Sequence, residues 1–347
     1  MASGTDAVTA GISAEAVTKF LRDHIDGLTP PFAFELIAGG RSNLTYSVTD
    51  AAGRRVVLRR PPLSHVLATA HDVGREFRII SALHGTAVPV APPLAHCTDP
   101  DVTGAPFYVM DFVEGAIVKD DAGAAGLDDA ARRHATENIV DTLAAIHAID
   151  PDDVGLGDLG RKDGYVERQL KRWRTQVQAV EQRPAEIDVA HDRLAAAIPA
   201  PQGVDIAHGD YRLDNCMTAA DGTIAAVLDW ELCTLGDGLA DLGMLLISWT
   251  QPADTAFTPW PEAATKLPGF GTRDDIVERY AKVSGRDVSN ADFYRALAYW
   301  RLACISVGVT ARYAQGAMGE QPDVDVTARG SAPAFLAQAA IDALDGR

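Results

Sequence analysis

Lysine is nearly missing from the first half of this 347-residue chain: before residue 160 only Lys19 and Lys119 occur. Any fixed cation that a strand in this half supplies must therefore be arginine, with a planar fork of donors in place of a point charge. Long apolar runs are missing too. The longest, residues 242–249, falls far short of the roughly 20 residues that cross a bilayer. Residues 1–20 lack a basic start followed by an apolar core. The expectation is a cytoplasmic protein with no membrane partner. Cysteine is sparse: Cys97, Cys216, Cys233 and Cys304 show no paired spacing, which argues against a zinc site or a disulfide framework and suits a reducing compartment. Cys216 reads as a small buried filler or as a reactive thiol. Positive charge is in deficit, 31 bases against 48 acids for a formal charge of −17. A general positive field for nucleic acid is excluded, whereas cationic substrates remain allowed, and the acidity also serves plain solubility. No repeat period is present. What remains is a composition that is 47% hydrophobic, enough for two lobes that each have a core.

The chemistry concentrates in His208-Gly209-Asp210-Tyr211-Arg212-Leu213-Asp214-Asn215, followed by Asp229 at the end of the apolar run 224–228. Asp210 and Asn215 are five residues apart, which an unbroken helix would place about 140° from each other, so a loop is the carrier that turns both into one cleft. The run 218–222 is a turn and 224–228 a short strand, a hairpin that brings Asn215 and Asp229 together. Phosphoryl transfer needs one carboxylate to orient a hydroxyl and accept its proton, and an amide oxygen plus a second carboxylate to hold Mg²⁺ on a nucleotide. Asp210 takes the first role and Asn215 and Asp229 the second. Arg212, two residues past Asp210, is placed to stabilise the transferred phosphoryl group. An isolated Asp-x4-Asn or an Asp after a strand would signify little; the joint pattern is what carries the reading.

Upstream, residues 13–25 read as an amphipathic helix capped by Ser13, and 32–38 and 44–48 as strands joined by Gly39-Gly40-Arg41-Ser42-Asn43. Glycines there let main-chain amides approach phosphate, and Ser42 adds a hydroxyl donor. Residues 55–59 form the next strand, whose alternation sets Val57 and Arg59 on one face and Leu58 and Arg60 on the other. A helix over 72–83 carries Glu76 beside its apolar stripe. That acid pairs with Arg59 and orients it, or else with Arg75 or Arg78 on a solvated face.

These phrases, with Leu58-Arg59-Arg60-Pro61-Pro62, Gly164-Tyr165 through Arg172-Trp173, and Leu235-Gly236-Asp237 to Asp241-Leu242, resemble the aminoglycoside phosphotransferase and choline kinase superfamily over roughly residues 30 to 320. The finer resemblance is to bacterial phosphotransferase-family proteins and to the kinase-like domain fused to some acyl-CoA dehydrogenases. It implies an α+β, bilobal, protein-kinase-like fold: a small, mainly antiparallel lobe over 1–113 and a larger, mainly helical lobe over 114–347. It further implies ATP or GTP with Mg²⁺, and γ-phosphoryl transfer to a small-molecule hydroxyl. Gly40, Ser42 and Asn43 then face the phosphates. Arg59 stands where kinases carry a lysine, with Glu76 as its partner; either the pocket is shaped for arginine, or nucleotide binding is weakened and the chain is a regulator. Met110 flanks the nucleotide base, and the main chain of Asp111 and Val113 reads it.

Downstream, 130–148 is a helix with His147 in a structural place. The segment 161–178 gathers Arg161, Lys162, Arg168, Lys171, Arg172 and Arg174 in an otherwise acidic chain. Val166, Leu170, Trp173 and Val177 share a helical face, which turns Arg168, Lys171 and Arg172 away from it. Such a surface is either merely solvated or built for an acceptor with its own phosphates, such as a hydroxyacyl-CoA; a polycationic aminoglycoside would be repelled. Arg168, Arg172, Trp173 and Arg301 are the acceptor candidates. An antibiotic kinase and a non-catalytic nucleotide-binding module are the competing readings. The last helices are expected over 277–282 and 294–313, then a loop over 319–326 and a helix over 332–344.

Overall fold

The computed structural model describes residues 11–38, 43–63, 72–180, 183–254, 258–314 and 326–346. Its internal contacts divide the chain into two units: Met1–Glu114 with Ala225–Glu231, and Gly115–Ile224 with Leu232–Arg347.

In the smaller unit, Ser13 accepts from the amide of Ala16 and so starts helix α1 (Ala14–His24), whose Val17, Phe20 and Leu21 are buried. Five strands follow: β1 (Ala33–Ala38), β2 (Leu44–Thr49), β3 (Arg55–Arg60), β4 (Pro93–Cys97) and β5 (Phe107–Asp111). They form one antiparallel sheet in the order β1-β2-β3-β5-β4. Alternation decides what each face meets. Tyr46, Val48, Val56 and Leu58 join the core that α1 covers, with Phe20 edge-on to Phe107 at 5.0 Å. Arg60 lies on that same face, buried, and is accommodated because its guanidinium donates to the carbonyls of Gly11 and Thr103. Helix α2 (Val73–Leu83), capped by Asp72, turns Val73, Glu76, Ile79, Ile80 and Leu83 inward. A short α3 (Pro100–Thr103) precedes β5.

The larger unit is mainly helical. It contains α4 (Asp129–His147), α5 (Tyr165–Gln178), α6 (Glu186–Ala196), α7 (Leu239–Ser248), α8 (Arg273–Ser284), α9 (Ala291–Ala314) and α10 (Val326–Leu344). Short strands β6 (Asp205–Ala207) and β9 (Thr234–Gly236) pair antiparallel, while β7 (Cys216–Thr218) and the turn after it lead into β8 (Ile224–Val227). Helix α7 is buried nearly all round and packs on α9, which also packs on α10. Thr272 and Asp275 cap α8 reciprocally.

Several boundaries differ from the expectations. Helix α5 begins at Tyr165 after Gly164, so Arg161 and Lys162 precede it, and Trp173 is half-buried because its face is shared with solvent. Helix α8 starts four residues earlier than expected, at its Thr272 cap, and α10 begins at Val326 and runs through Pro333. The expected loop over 319–326 lies mostly outside the described residues. Among the described residues, no helix is long and apolar enough to cross a membrane.

Candidate active site

In the smaller unit, one buried carboxylate organises a polar cluster. Glu76 is 2% exposed. Its Oε2 accepts from Arg59 Nε at 2.8 Å and from the Tyr108 hydroxyl at 3.1 Å. Its Oε1 accepts from Asn43 Nδ2 at 2.9 Å and from Arg59 Nη2 at 3.3 Å. Sheet register explains the convergence, because Arg59 stands opposite Thr45 on one side and Tyr108 on the other. Thr45 accepts from Arg59 Nη1 at 3.4 Å.

Arg59 does more than pair with α2. Its Nη2 also reaches Asp229 Oδ1 at 2.5 Å. Burial works against the guanidinium's charge, but Glu76 and Asp229 outweigh it and hold the pKa above its ordinary value. Burial, reinforced by Glu76, pushes the Tyr108 phenol well up. Segment 225–231 is tied into this unit by the amide of Val227 donating to Pro89 O at 2.8 Å. Asp229 itself has φ +61°, the one positive value at a non-glycine among the described residues. Aspartate tolerates that left-handed conformation better than most side chains, and such strain concentrates at functional positions. Carboxylate oxygens of Glu76, Asp229 and Glu231 lie within 4.8 Å of one another, a donor set suited to a hard divalent cation.

The remaining nucleotide candidates divide. Gly40 and Ser42 lie outside the described residues. Met110, Asp111 and Val113 are half-buried at the end of β5, where Arg54 Nη2 donates to Asp111 Oδ1 at 3.1 Å.

In the larger unit, the loop after β6 is held from below. Asp205 takes both Nη1 and Nη2 of Arg286 at 2.6 Å and the amide of Gly238 at 2.9 Å, fixing β6. Asp241, at the start of α7, accepts from the amide of His208 at 2.6 Å and of Gly209 at 2.8 Å. Burial would raise Asp241, but His147, His208 and the Gly209 amide outweigh it and keep the carboxyl below its ordinary range. Gly209 has φ +87°, and a Cβ there would fall 2.7 Å from Leu232 O, so only glycine allows the turn. His208 Nδ1 accepts from the amide of Asp210 at 3.3 Å, and the buried Tyr211 hydroxyl donates to Ile139 O at 2.8 Å. Both residues brace the loop.

On this support Asn215 Nδ2 donates to Asp210 O at 2.8 Å and to Asp210 Oδ2 at 3.0 Å. The amide nitrogen is thereby committed to Asp210, and Asn215 Oδ1 is the group left for a cation. Arg212 Nε is 3.2 Å from Asp210 Oδ1, Nη1 is 3.0 Å from Asp214 Oδ2, and the guanidinium lies 5.0 Å from the Trp260 ring centroid. Sequence alone singles out neither Asp214 nor Trp260 as part of the site. The acid is visible two positions past Arg212, but Trp260 is distant along the chain and carries no motif. Cys216 is buried and its thiol is pushed up by that burial, in keeping with a filler.

Three acceptor candidates share one surface of this unit: the guanidinium carbons of Arg172 and Arg301 lie 5.2 Å and 5.9 Å from the Trp173 ring centroid. Arg168 donates to Arg161 O at 2.8 Å. Burial raises the Tyr165 phenol to about 12, with Arg301 and Arg168 pulling the other way.

A five-stranded antiparallel unit, a buried Arg-Glu pair and a His-Gly-Asp-x4-Asn loop within a mainly helical unit define a kinase-like fold. The chain belongs to the phosphotransferase enzyme family, whose model matches residues 33–265. It is 33% identical over 315 residues to mouse acyl-CoA dehydrogenase family member 10, covering 89% of this chain but 29% of that protein, so the chain spans under a third of that relative's length. A solved structure from Ralstonia eutropha JMP134, named as a candidate aminoglycoside phosphotransferase, matches with TM-score 0.80 and 31% identity over 96% of this chain and 98% of that one. Amicoumacin kinase hAmiN, solved with AMP-PNP, Ca²⁺ and its antibiotic, shares the fold alone, at TM-score 0.59 and 14% identity over 98% of this chain and 96% of that one.

Proposed function

We propose that the chain is a kinase that transfers the γ-phosphoryl group of ATP, with GTP as the alternative donor, to the hydroxyl of a small molecule. The observation that carries this reading is the Asp210–Asn215 contact, which holds the base carboxylate and commits the Asn215 amide nitrogen, leaving its oxygen for a cation. Asp210 orients the acceptor hydroxyl and takes its proton as the oxygen attacks. Arg212, held by Asp210 and Asp214, puts fixed positive charge beside that carboxylate. Asn215 and Asp229 are the proposed Mg²⁺ ligands, supported by their oxygen chemistry and by their place in the motif. Bound with the nucleotide, the ion would neutralise phosphate charge. Asn43, Arg59 and Glu76, with Gly40 and Ser42, serve the phosphates, and Met110, Asp111 and Val113 serve the base. Mg²⁺-dependent nucleotide turnover against a panel of hydroxyl acceptors tests the reading; a folded protein that neither binds nor consumes ATP or GTP would sink it.

For the acceptor we propose a hydroxyacyl thioester of coenzyme A. Arg172 and Arg301 around Trp173, with Arg168 nearby, form a basic and aromatic surface on a chain of net charge −17. The phosphates of coenzyme A match that surface, and the mouse relative's name concerns acyl-CoA. Replacing Arg168 and Arg172 by alanine should raise KM for a hydroxyacyl-CoA about tenfold or more with kcat little changed, as loss of ground-state binding does. Turnover of an aminoglycoside in preference to the thioester refutes this assignment of the acceptor.

A further inference from the structure

We infer that Arg59 masks Asp229 from cations and so couples cation binding to nucleotide binding. The inference rests on the phosphotransferase reading for its nucleotide half and on geometry in the smaller unit for its cation half. Arg59 Nη2 donates to Asp229 Oδ1 at 2.5 Å, a charge-assisted contact to the carboxylate that a cation would need. The same guanidinium keeps Nε on Glu76 Oε2 at 2.8 Å, so the contact is not a stray rotamer: one end of the fork is anchored on a buried acid. The guanidinium spans both acids from two different nitrogens, Nε on Glu76 and Nη2 on Asp229. An ammonium in its place would have one nitrogen to divide between Glu76 and Asp229.

A second positive charge on the Asp229 carboxylate is repelled by the guanidinium already there. A cation approaching the carboxylates of Asp229 and Glu231 is opposed by the guanidinium on Asp229, and whatever draws Nη2 away removes that opposition. Nucleotide phosphate is the natural competitor, because it accepts a bidentate arginine contact. Nη2 would pass from Asp229 to a phosphate while Nε stays on Glu76. The cation then binds a carboxylate just released, and by linkage it strengthens nucleotide binding by the same factor. Arg59 is in this account a positioning residue.

The test is titration of the full chain with Mn²⁺, followed by the electron paramagnetic resonance signal of the free ion, with and without a non-hydrolysable ATP analogue. If Arg59 holds Asp229 about nine-tenths of the time, apparent cation affinity is reduced about tenfold, so Arg59→Ala should bind Mn²⁺ about tenfold tighter without nucleotide. Arg59→Lys, which retains a cation should the alanine variant fold poorly, should show a smaller gain in the same direction. Because the triphosphate is itself a ligand, the analogue should tighten Mn²⁺ binding to both chains; after subtraction of its own Mn²⁺ binding in a protein-free titration, the tightening should be about tenfold larger for the wild-type chain than for Arg59→Ala. Asp229→Asn in the Arg59→Ala background should abolish the gain. Unchanged or weaker nucleotide-free Mn²⁺ binding in both Arg59 variants overturns the inference, as does a gain that survives Asp229→Asn. Failure of the wild-type chain to bind the analogue would instead count against the kinase reading, and the nucleotide-free comparison still decides the masking.

Discussion

Asp241→Asn should destabilise the larger unit before it says anything about chemistry. The carboxylate is 2% exposed and receives the amides of His208 and Gly209 at 2.6 Å and 2.8 Å. Asparagine keeps one acceptor oxygen and turns an NH₂ toward an amide that itself donates, so one charge-assisted bond is lost and a buried donor is stranded. Each such bond is worth about 1.5–3 kcal/mol and a stranded buried group costs a similar amount, so a loss of about 3 kcal/mol is expected. At about 2–4 °C per kcal/mol for a unit of this size, the midpoint should fall by about 9 °C. Of the five tryptophans, Trp173, Trp249, Trp260 and Trp300 belong to the larger unit, so intrinsic fluorescence in urea reads it selectively. The pH dependence has a definite sign. Folding lowers the Asp241 pKa, so its contribution is fully present above the unfolded value near about 3.9 and is lost as pH falls through the folded value. Wild type and variant should therefore differ most at neutral pH and converge in acid. A loss below about 1 kcal/mol, or an undiminished gap in strong acid, would refute the claim that this carboxylate holds the loop at residues 208–215.

Asp210→Asn should lower kcat by about three orders of magnitude or more while costing under about 2 kcal/mol of unfolding free energy through its contacts to Asn215 and Arg212, measured by coupled nucleotide turnover and urea denaturation. Gly222→Ala should be poorly tolerated, since φ is +89° and the added Cβ would lie 2.0 Å from Ala131 O; a cost above about 3 kcal/mol is expected in the same urea assay.

What the sequence disclosed follows from how far a signal reaches along the chain. Helix α1 and strands β2 and β3 were legible because period and caps are written within each segment; phase left Glu76 open between Arg59 and Arg75 or Arg78, and the structure pairs it with Arg59. Strands β6 and β9 were not: three residues each carry no period, and their pairing joins residues 205–207 to 234–236. Helix α7 reads in sequence as a bare apolar stretch because burial on every side erases the polar face that marks a surface helix. Helix α6 and strand β4 were likewise illegible, the latter because Pro93 and His96 break the strand pattern.

The same distinction separates the two halves of Arg59's role. Pairing with Glu76 spans 17 residues and two adjacent elements, whereas contact with Asp229 spans 170 residues and depends on segment 225–231 returning to the smaller unit. Near-absence of lysine upstream announced that an arginine would occupy this place, and the choice acquires a reason once both partners are seen. A lysine would have to reach both carboxylates from a single nitrogen, whereas the fork takes Glu76 through Nε and Asp229 through Nη2. The motif leaves two readings of this arginine open, a pocket shaped for it or weakened nucleotide binding, and the geometry adds that this one side chain grips two acids.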